Sequence, residues 1–248
     1  MNTLTIRSIP VNSRKPSSPL LGTMAATLLL CAAAPVHGES AITEPPPVAP
    51  GMTASPTLWA GVPEAAKAHG KWSFEFGVGV IGDTTPGDYL SGHFKKLDGP
   101  GEGLTYNSTI AYRLREFDWR TKHLRLQPTL ELPFMLTLVD QKEGGMTPDI
   151  NAGVVVRWRD FPWNRYVYTT FAIGGGLSYS FRVWTADYQR HPEEDRSNLK
   201  FWLPIEWTFA LPSHPRHQLT LFIDHQSGGH ILDKGGVDAW GIGYRFLF

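Results

Sequence analysis

Between Lys71 and Ile81 the chain alternates: Trp72, Phe74, Phe76, Val78 and Val80 fall on one parity, and Ser73, Glu75, Gly77 and Gly79 on the other. Successive side chains of an extended strand point to opposite sides, so the spacing predicts a strand with one apolar face and one polar or small face. The pattern recurs seven more times. Leu104, Tyr106, Ile110, Tyr112 and Leu114 alternate with Thr105, Asn107, Thr109, Arg113 and Arg115. Leu124, Leu126, Leu130, Leu132 and Phe134 alternate with Arg125, Gln127, Thr129 and Glu131, and Ile150, Val154, Val156 and Trp158 with Asn151, Gly153, Arg157 and Arg159. Val167, Phe171, Ile173, Leu177, Tyr179 and Phe181 then face away from Tyr168, Thr170, Ser178, Ser180 and Arg182. The sixth strand sets Phe201, Leu203, Ile205, Trp207 and Phe209 against Trp202, Glu206 and Thr208. Leu219, Leu221 and Ile223 begin the seventh, and Trp240, Ile242, Tyr244, Phe246 and Phe248 complete the eighth.

A soluble sandwich and an outer-membrane barrel both produce this alternation. The sandwich turns its apolar face into a core; the barrel turns it to lipid and fills the lumen with the polar face. Three features favour the barrel. Connections at 82–103, 140–147, 185–198 and 228–236 read as long, and those at 116–122, 160–164 and 212–216 as short, as loops on one side of a membrane and turns on the other. The polar face carries Arg113, Arg115, Arg125, Arg157, Arg159, Arg182 and Arg245 beside Glu75, Glu131 and Glu206, which suits a lumen of paired charges. Gly243, Phe246 and a final Phe248 resemble the C-terminal sorting signal of outer-membrane proteins. The expectation is an all-β, eight-stranded antiparallel transmembrane β-barrel over residues 71–248, with both termini and the short turns periplasmic. Trp72, Trp119, Trp158, Trp163 and Phe248 would then form an aromatic girdle at the periplasmic interface.

The alternation breaks where chemistry enters. On the seventh strand the outward parity of Leu219, Leu221 and Ile223 continues to His225 and Ser227, and on the eighth, read back from Phe248, it reaches Asp238. Three polar residues thus fall on lipid-facing rows near the outer ends of adjacent strands. Antiparallel pairing across this hairpin would put His225 and Asp238 side by side, with Ser227 roughly 7 Å farther along the same face. A hydroxyl, an imidazole that takes its proton and a carboxylate that orients the imidazole are the parts of an acyl-transfer triad. Equally, His and Ser at a barrel rim can hydrogen-bond in the headgroup zone while Asp238 caps the loop. Gly228 and Gly229 offer backbone N–H groups to an oxyanion.

Composition sharpens the picture. With 23 Lys+Arg against 23 Asp+Glu among 248 residues, the chain lacks the excess positive charge of a nucleic-acid binder. A mean hydropathy of -0.21 and the lack of a run of about 18 apolar residues exclude a bundle of membrane-spanning helices. Arg7, Arg14 and Lys15 precede an apolar Leu20–Ala34 and then Val36-His37-Gly38, which reads as a signal peptide over 1–38, cleaved after Gly38 or, second, after Ala41. Cys31 follows Leu30, too large for a lipobox, and leaves with the leader, so a mature chain has no disulfide. Residues 39–70 are a Pro-rich periplasmic lead-in in which Leu58 to His69 could form a short helical turn. His214, His217, His225 and His230 with Asp224 and Asp233 were weighed as a metal cluster, but His214 and His217 fall in an opposite turn and Asp224 has lumen parity, so no metal is expected. Gly174-Gly175-Gly176 is no phosphate loop, since no helix follows it.

His225-Gln226-Ser227, a Gly-containing loop, Gly236-Val237-Asp238 and the closing Gly243-Tyr244-Arg245-Phe246 resemble the C-terminal signature of PagL-type lipid A 3-O-deacylases, also called acyloxyacyl hydrolases. The resemblance covers about 24 residues; upstream only the strand layout is shared. It implies an eight-stranded outer-membrane barrel that hydrolyses an ester-linked acyl chain of lipid A. Ser227 would be the nucleophile, His225 the base and Asp238 the orienting acid, with no cofactor. Gly228 stands where that family usually has an oxyanion-hole Asn, and Asp238 where it commonly has Glu after one more residue. The partners implied are lipid A or lipopolysaccharide and the outer membrane; a homodimer is left open. Two alternatives remain: a structural or binding barrel without catalysis, and an esterase acting on phospholipid.

Overall fold

A computed structural model of the chain describes residues 62–67, 70–120 and 125–248; the expected leader and most of the Pro-rich segment lie outside them. In chain order the strands are β1 (Trp72–Gly82), β2 (Gly103–Glu116), β3 (Trp119–Arg120), β4 (Arg125–Leu126), β5 (Pro128–Gln141), β6 (Gly145–Trp158), β7 (Tyr168–Ser180), β8 (Leu199–Ala210), β9 (His217–Ser227) and β10 (Gly236–Leu247). The short helices are α1 (Glu64–Lys67), α2 (Pro86–Leu90) and α3 (Thr185–Arg190). Eight strands close into one antiparallel barrel in the order β1-β10-β9-β8-β7-β6-β5-β2, while β3 and β4 form a separate two-stranded ladder. At 11 to 14 residues, the barrel strands reach the length that a tilted membrane-spanning strand needs. Among the described residues no helix is long and apolar enough to cross a membrane.

Burial inverts the usual rule for a soluble protein. The polar rows point inward, with Asn151 and Thr220 fully buried, while Phe74, Phe76, Phe134, Leu136, Leu177, Leu221 and Ile242 lie exposed outside. A sandwich would bury the apolar rows instead, so closure with an apolar exterior decides between the two architectures. The lumen is held by ions: Glu131 pairs with Arg157 at 3.0 Å and with Arg245 at 2.8 Å, and Glu206 pairs with Arg157 and lies 3.7 Å from Arg245. Not every expected lumen charge joins them. Arg113 and Arg159 pair with Glu116 at the rim of the chain termini, Arg115 is exposed, and Arg182 bonds Thr147 at the opposite rim.

Two connections differ from expectation. The supposed long loop at 140–147 is a three-residue turn, Lys142–Gly144, because the alternation of β5 runs on through Leu136 and Leu138 to Gln141. Gly144 (φ 98) and Gly145 (φ 64) supply the left-handed backbone that so tight a turn demands. The supposed short turn at 116–122 instead spans 117–127 and carries the β3–β4 ladder, so Leu126 belongs to β4 and not to the barrel strand that starts at Pro128, while Leu124 lies outside the described residues. At the same rim, Val62 and Ala66 of the α1 segment pack against Tyr168 and Ala210, so the end of the lead-in folds onto the barrel. Trp72, Trp158, Trp163 and Phe248 lie at this rim as expected, joined by Phe171 and Trp207; the side chain of Trp119 lies outside the described residues.

At the far rim the remaining loops interlock. Ile81, Leu97, Val139, Trp184, Ala186 and Val237 form one buried apolar cluster. Helix α3 crosses the mouth of the lumen, tied down by Trp184 Nε1 donating to Asp149 at 2.8 Å and by the Ala186 N–H donating to Gln141 at 2.9 Å. Gln189 fastens it to the β1–β2 loop, donating to the Asp98 carbonyl at 2.6 Å and accepting from the Gly101 N–H at 2.7 Å.

Candidate active site

The site grows from the β9–β10 register, in which Asp238 pairs with His225 and Gly236 with Ser227. All four share the outward parity of Trp240 and Ile242. His225 Nδ1 lies 2.7 Å from Asp238 Oδ1. With the proton on Nδ1 donated to the carboxylate, Nε2 keeps its lone pair free to act as a base. Ser227 is the next outward residue beyond His225. A Cβ built on Gly236 would lie 3.5 Å from Ser227 Cβ and 3.8 Å from His225 Cε1, so the Cβ of Ser227 and the imidazole border one spot at which Gly236 carries no side chain.

Asp238 keeps its predicted row but not its predicted exposure: it is only 1 % exposed. A barrel wall is one layer thick, so an outward residue is buried only when something folds back over it. Here the loops do so. Arg190, at the end of α3, donates from Nη1 to Asp238 Oδ2 at 2.8 Å and from Nη2 to the Thr84 carbonyl at 3.2 Å. From the β1–β2 loop, Phe94 lies against Trp240 of β10 at 5.3 Å between ring centroids, with Tyr89 on Phe94 at 5.2 Å. Burial first, and then the Asp238 carboxylate, push the Tyr89 phenol well above its ordinary value, so it stays protonated.

Of the two expected oxyanion donors, Gly228 is already engaged: its N–H donates to the Gly235 carbonyl at 3.2 Å, closing the loop. A Cβ on Gly228 would overlap Asp233 Oδ1 and the Asp233 backbone, so this backbone position has no room for a side chain. Gly229 follows in the left-handed region (φ 59), beside the ring of Phe201.

Beneath this loop lies an ion network that sequence reasoning did not foresee. Asp187, fully buried, accepts from the Gly236 N–H at 3.0 Å and pairs with Lys200 at 2.9 Å. Lys200 continues to Asp233 at 2.6 Å, and Asp233 also accepts from the N–H groups of Ser197 (2.7 Å) and Gly235 (2.8 Å). Burial pushes the Asp233 carboxyl up, but the Lys200 bond and the two backbone donors outweigh it and hold the group below its ordinary value. These ties fix the ends of the 228–235 loop and so the backbone that presents Ser227. Arg190, Asp187 and Lys200 lie on loops or on a lumen row, where alternation carries no signal of a site; only the pairing of loop charges in three dimensions reveals them.

The residues weighed as a metal cluster are dispersed. His214 bonds Ser213 and His217 bonds Tyr244 at the rim of the termini. Asp224 accepts from Trp202 (3.0 Å) and Asn107 (3.1 Å) in the lumen, and Asp233 is committed to Lys200. What the outward row holds together is the His225–Asp238 pair, with Ser227 as its next outward neighbour.

No family model matches the chain, and no curated protein matches it. Among solved structures it is similar to the outer membrane enzyme PagL, at 14% identity and a TM-score of 0.49, over 71% of this chain and 99% of that one. It is also similar to Ail of Yersinia pestis, at 16% identity and a TM-score of 0.34 over 72% and 99% of the two chains. A third similarity is to the outer membrane protein OprG from Pseudomonas aeruginosa, at 13% identity and a TM-score of 0.33 over 72% and 96%.

Proposed function

We propose that the chain is an outer-membrane serine esterase that removes an ester-linked 3-hydroxyacyl chain from lipid A. One observation carries the reading: His225 and Asp238 pair at 2.7 Å on the outer wall, with Ser227 next along the same outward row, above an apolar exterior. Polar side chains on a lipid-facing wall cost stability, and a triad gives them a reason to be there. In this reading residues 1–38 direct export, the lead-in and both termini are periplasmic, and the far rim with its loops meets the outer leaflet. Ser227 then sits where the apolar band gives way to the headgroup zone, the depth at which the acyl esters of a membrane lipid lie.

Ser227 Oγ attacks the ester carbonyl carbon while His225 Nε2 takes its proton. Asp238 stabilises the resulting imidazolium, and the Gly229 N–H receives the developing oxyanion. As the tetrahedral adduct collapses, the sugar oxygen leaves with the proton from Nε2. A water, deprotonated by the same nitrogen, then resolves the acyl-Ser227 ester to a free 3-hydroxy fatty acid. The chemistry needs no cofactor.

Mass spectrometry of lipid A from cells making the wild type or Ser227→Ala tests this. Loss of one 3-hydroxyacyl mass with the wild type, and its retention with Ser227→Ala, is the expected result. An unchanged profile with the wild type would refute deacylation in that host. Fatty acid released from phospholipid by the purified protein, with lipid A left intact, would move the substrate to phospholipid.

A further inference from the structure

We infer that Arg190 is a positioning residue that holds Asp238 in the orientation His225 requires, an inference that rests on the triad reading above. The two carboxylate oxygens are divided between two partners: Oδ1 faces His225 Nδ1 at 2.7 Å and Oδ2 takes Arg190 Nη1 at 2.8 Å. Rotation about the side-chain bonds of Asp238 would break both contacts at once, so the guanidinium fixes the angle from which Oδ1 meets the ring. An aspartate makes this hold important. Its carboxylate stands one methylene from the β10 backbone, so it has little reach with which to correct a misdirected approach.

Arg190 is itself fixed. Nη2 donates to the Thr84 carbonyl at 3.2 Å, which ties it to the segment after β1. Helix α3, from which it projects, is anchored three residues earlier by Asp187, whose carboxylate accepts from the Gly236 N–H at 3.0 Å and pairs with Lys200. One short helix therefore grips β10 at two neighbouring outward positions of the site: Asp187 at the Gly236 backbone, opposite Ser227, and Arg190 at the acid. The guanidinium also supplies the counter-charge that lets a carboxylate persist at 1 % exposure on an outward row. Among the described residues, Arg190 and His225 are the groups that pair with the Asp238 carboxylate, and the Tyr89 phenol lies close enough to feel its charge.

The test uses the full mature chain refolded in detergent, with Arg190→Gln and Arg190→Lys, a dispersed fatty-acyl nitrophenyl ester as substrate, and nitrogen-15 spectra of the histidine rings. Removing a partner one step behind a reacting group typically costs about ten- to a hundredfold. Arg190→Gln should lose that much in kcat with KM within about twofold, and the hydrogen-bonded His225 Nδ1–H signal, assigned by its disappearance in His225→Gln, should broaden or vanish. Arg190→Lys, which keeps the charge, should recover part of both. Unchanged kcat together with an intact signal in Arg190→Gln overturns the inference, and so does a raised KM with the signal intact, which would make Arg190 a substrate contact. If the wild type hydrolyses no ester, the enzyme reading falls, but the ring signal still decides whether Arg190 orients the pair. If Arg190→Gln does not refold, Arg190→Lys decides: a three- to tenfold loss in kcat supports the inference, and wild-type kcat overturns it.

Discussion

Replacing Asp238 with Asn keeps the shape of the side chain and inverts one of its two contacts. An amide presents one acceptor and one donor group, whereas the carboxylate accepts at both oxygens. Arg190 can only donate, so the amide oxygen must turn to it, across the 2.8 Å now spanned by Oδ2. The amide NH2 then faces His225 Nδ1, now 2.7 Å from the carboxylate, and that nitrogen must become an acceptor. The ring proton moves to Nε2, the nitrogen that should take the Ser227 proton, and the base is lost without any change in position. The same tautomer reversal in a serine-protease triad lowers kcat by about 10⁴, which is roughly 5 kcal/mol in the barrier. KM should hold, because neither changed atom contacts the acyl chain. Stability should fall by no more than about 3 kcal/mol, since Arg190 keeps a neutral acceptor in place of an ionic one. The assay is release of 3-hydroxy fatty acid from purified lipopolysaccharide in detergent micelles, with the heat-dependent gel mobility of the barrel as the control for folding. A folded Asp238→Asn protein with kcat within tenfold of the wild type would refute the assignment of Asp238 as the orienting acid.

Three further outcomes follow from the same contacts. Glu131→Gln removes the shared partner of Arg157 and Arg245 inside the lumen and should cost about 3–5 kcal/mol, read as a lower thermal unfolding midpoint in detergent; an unchanged midpoint would contradict the ion cluster. Gly228→Asn, although it adds a side-chain amide directly after Ser227, should lower esterase activity by more than tenfold because its Cβ overlaps Asp233; equal or higher activity would show that the loop yields freely. Because the Asp233 carboxyl is held below its ordinary value when folded, its contribution to the loop is complete above about pH 4, the unfolded value, and fades as pH falls through the lower folded value. The protection factors of the Ser197 and Gly235 amides, taken relative to intrinsic exchange at each pH, should therefore fall on acidification from pH 5 towards pH 2, and constant protection factors over that range would remove Asp233 from the loop's support.

The barrel was legible in the sequence because its wall is a single layer, with lipid-side and lumen-side residues alternating one for one. Parity alone therefore sorts Trp72 from Ser73 and Leu221 from Thr220, and it suffices to bring His225 opposite Asp238. It failed where strands end. Polar and Gly-rich chemistry at 140–147 looks the same in a long loop as in a three-residue turn, and an alternating stretch ending at Leu126 reads the same whether it leads into the barrel or, as here, ends in the two-residue β4. The deeper omission concerns Asp238, for which parity predicted contact with lipid. A single-layer wall has nothing behind an outward side chain, so the burial that surrounds the His225–Asp238 pair must be brought by other segments. Here α3 and the β1–β2 loop bring it, through Arg190, Thr84, Tyr89 and Phe94, none of which lies on a barrel strand. A site on the outside of a barrel is therefore written twice: its reacting groups in the strand alternation, where a sequence displays them, and its low-dielectric surroundings in loops whose approach only the folded chain determines. Transplanting Ser227, His225 and Asp238 alone onto another eight-stranded wall should accordingly give the right row and the wrong environment, an exposed Asp with no guanidinium to orient it.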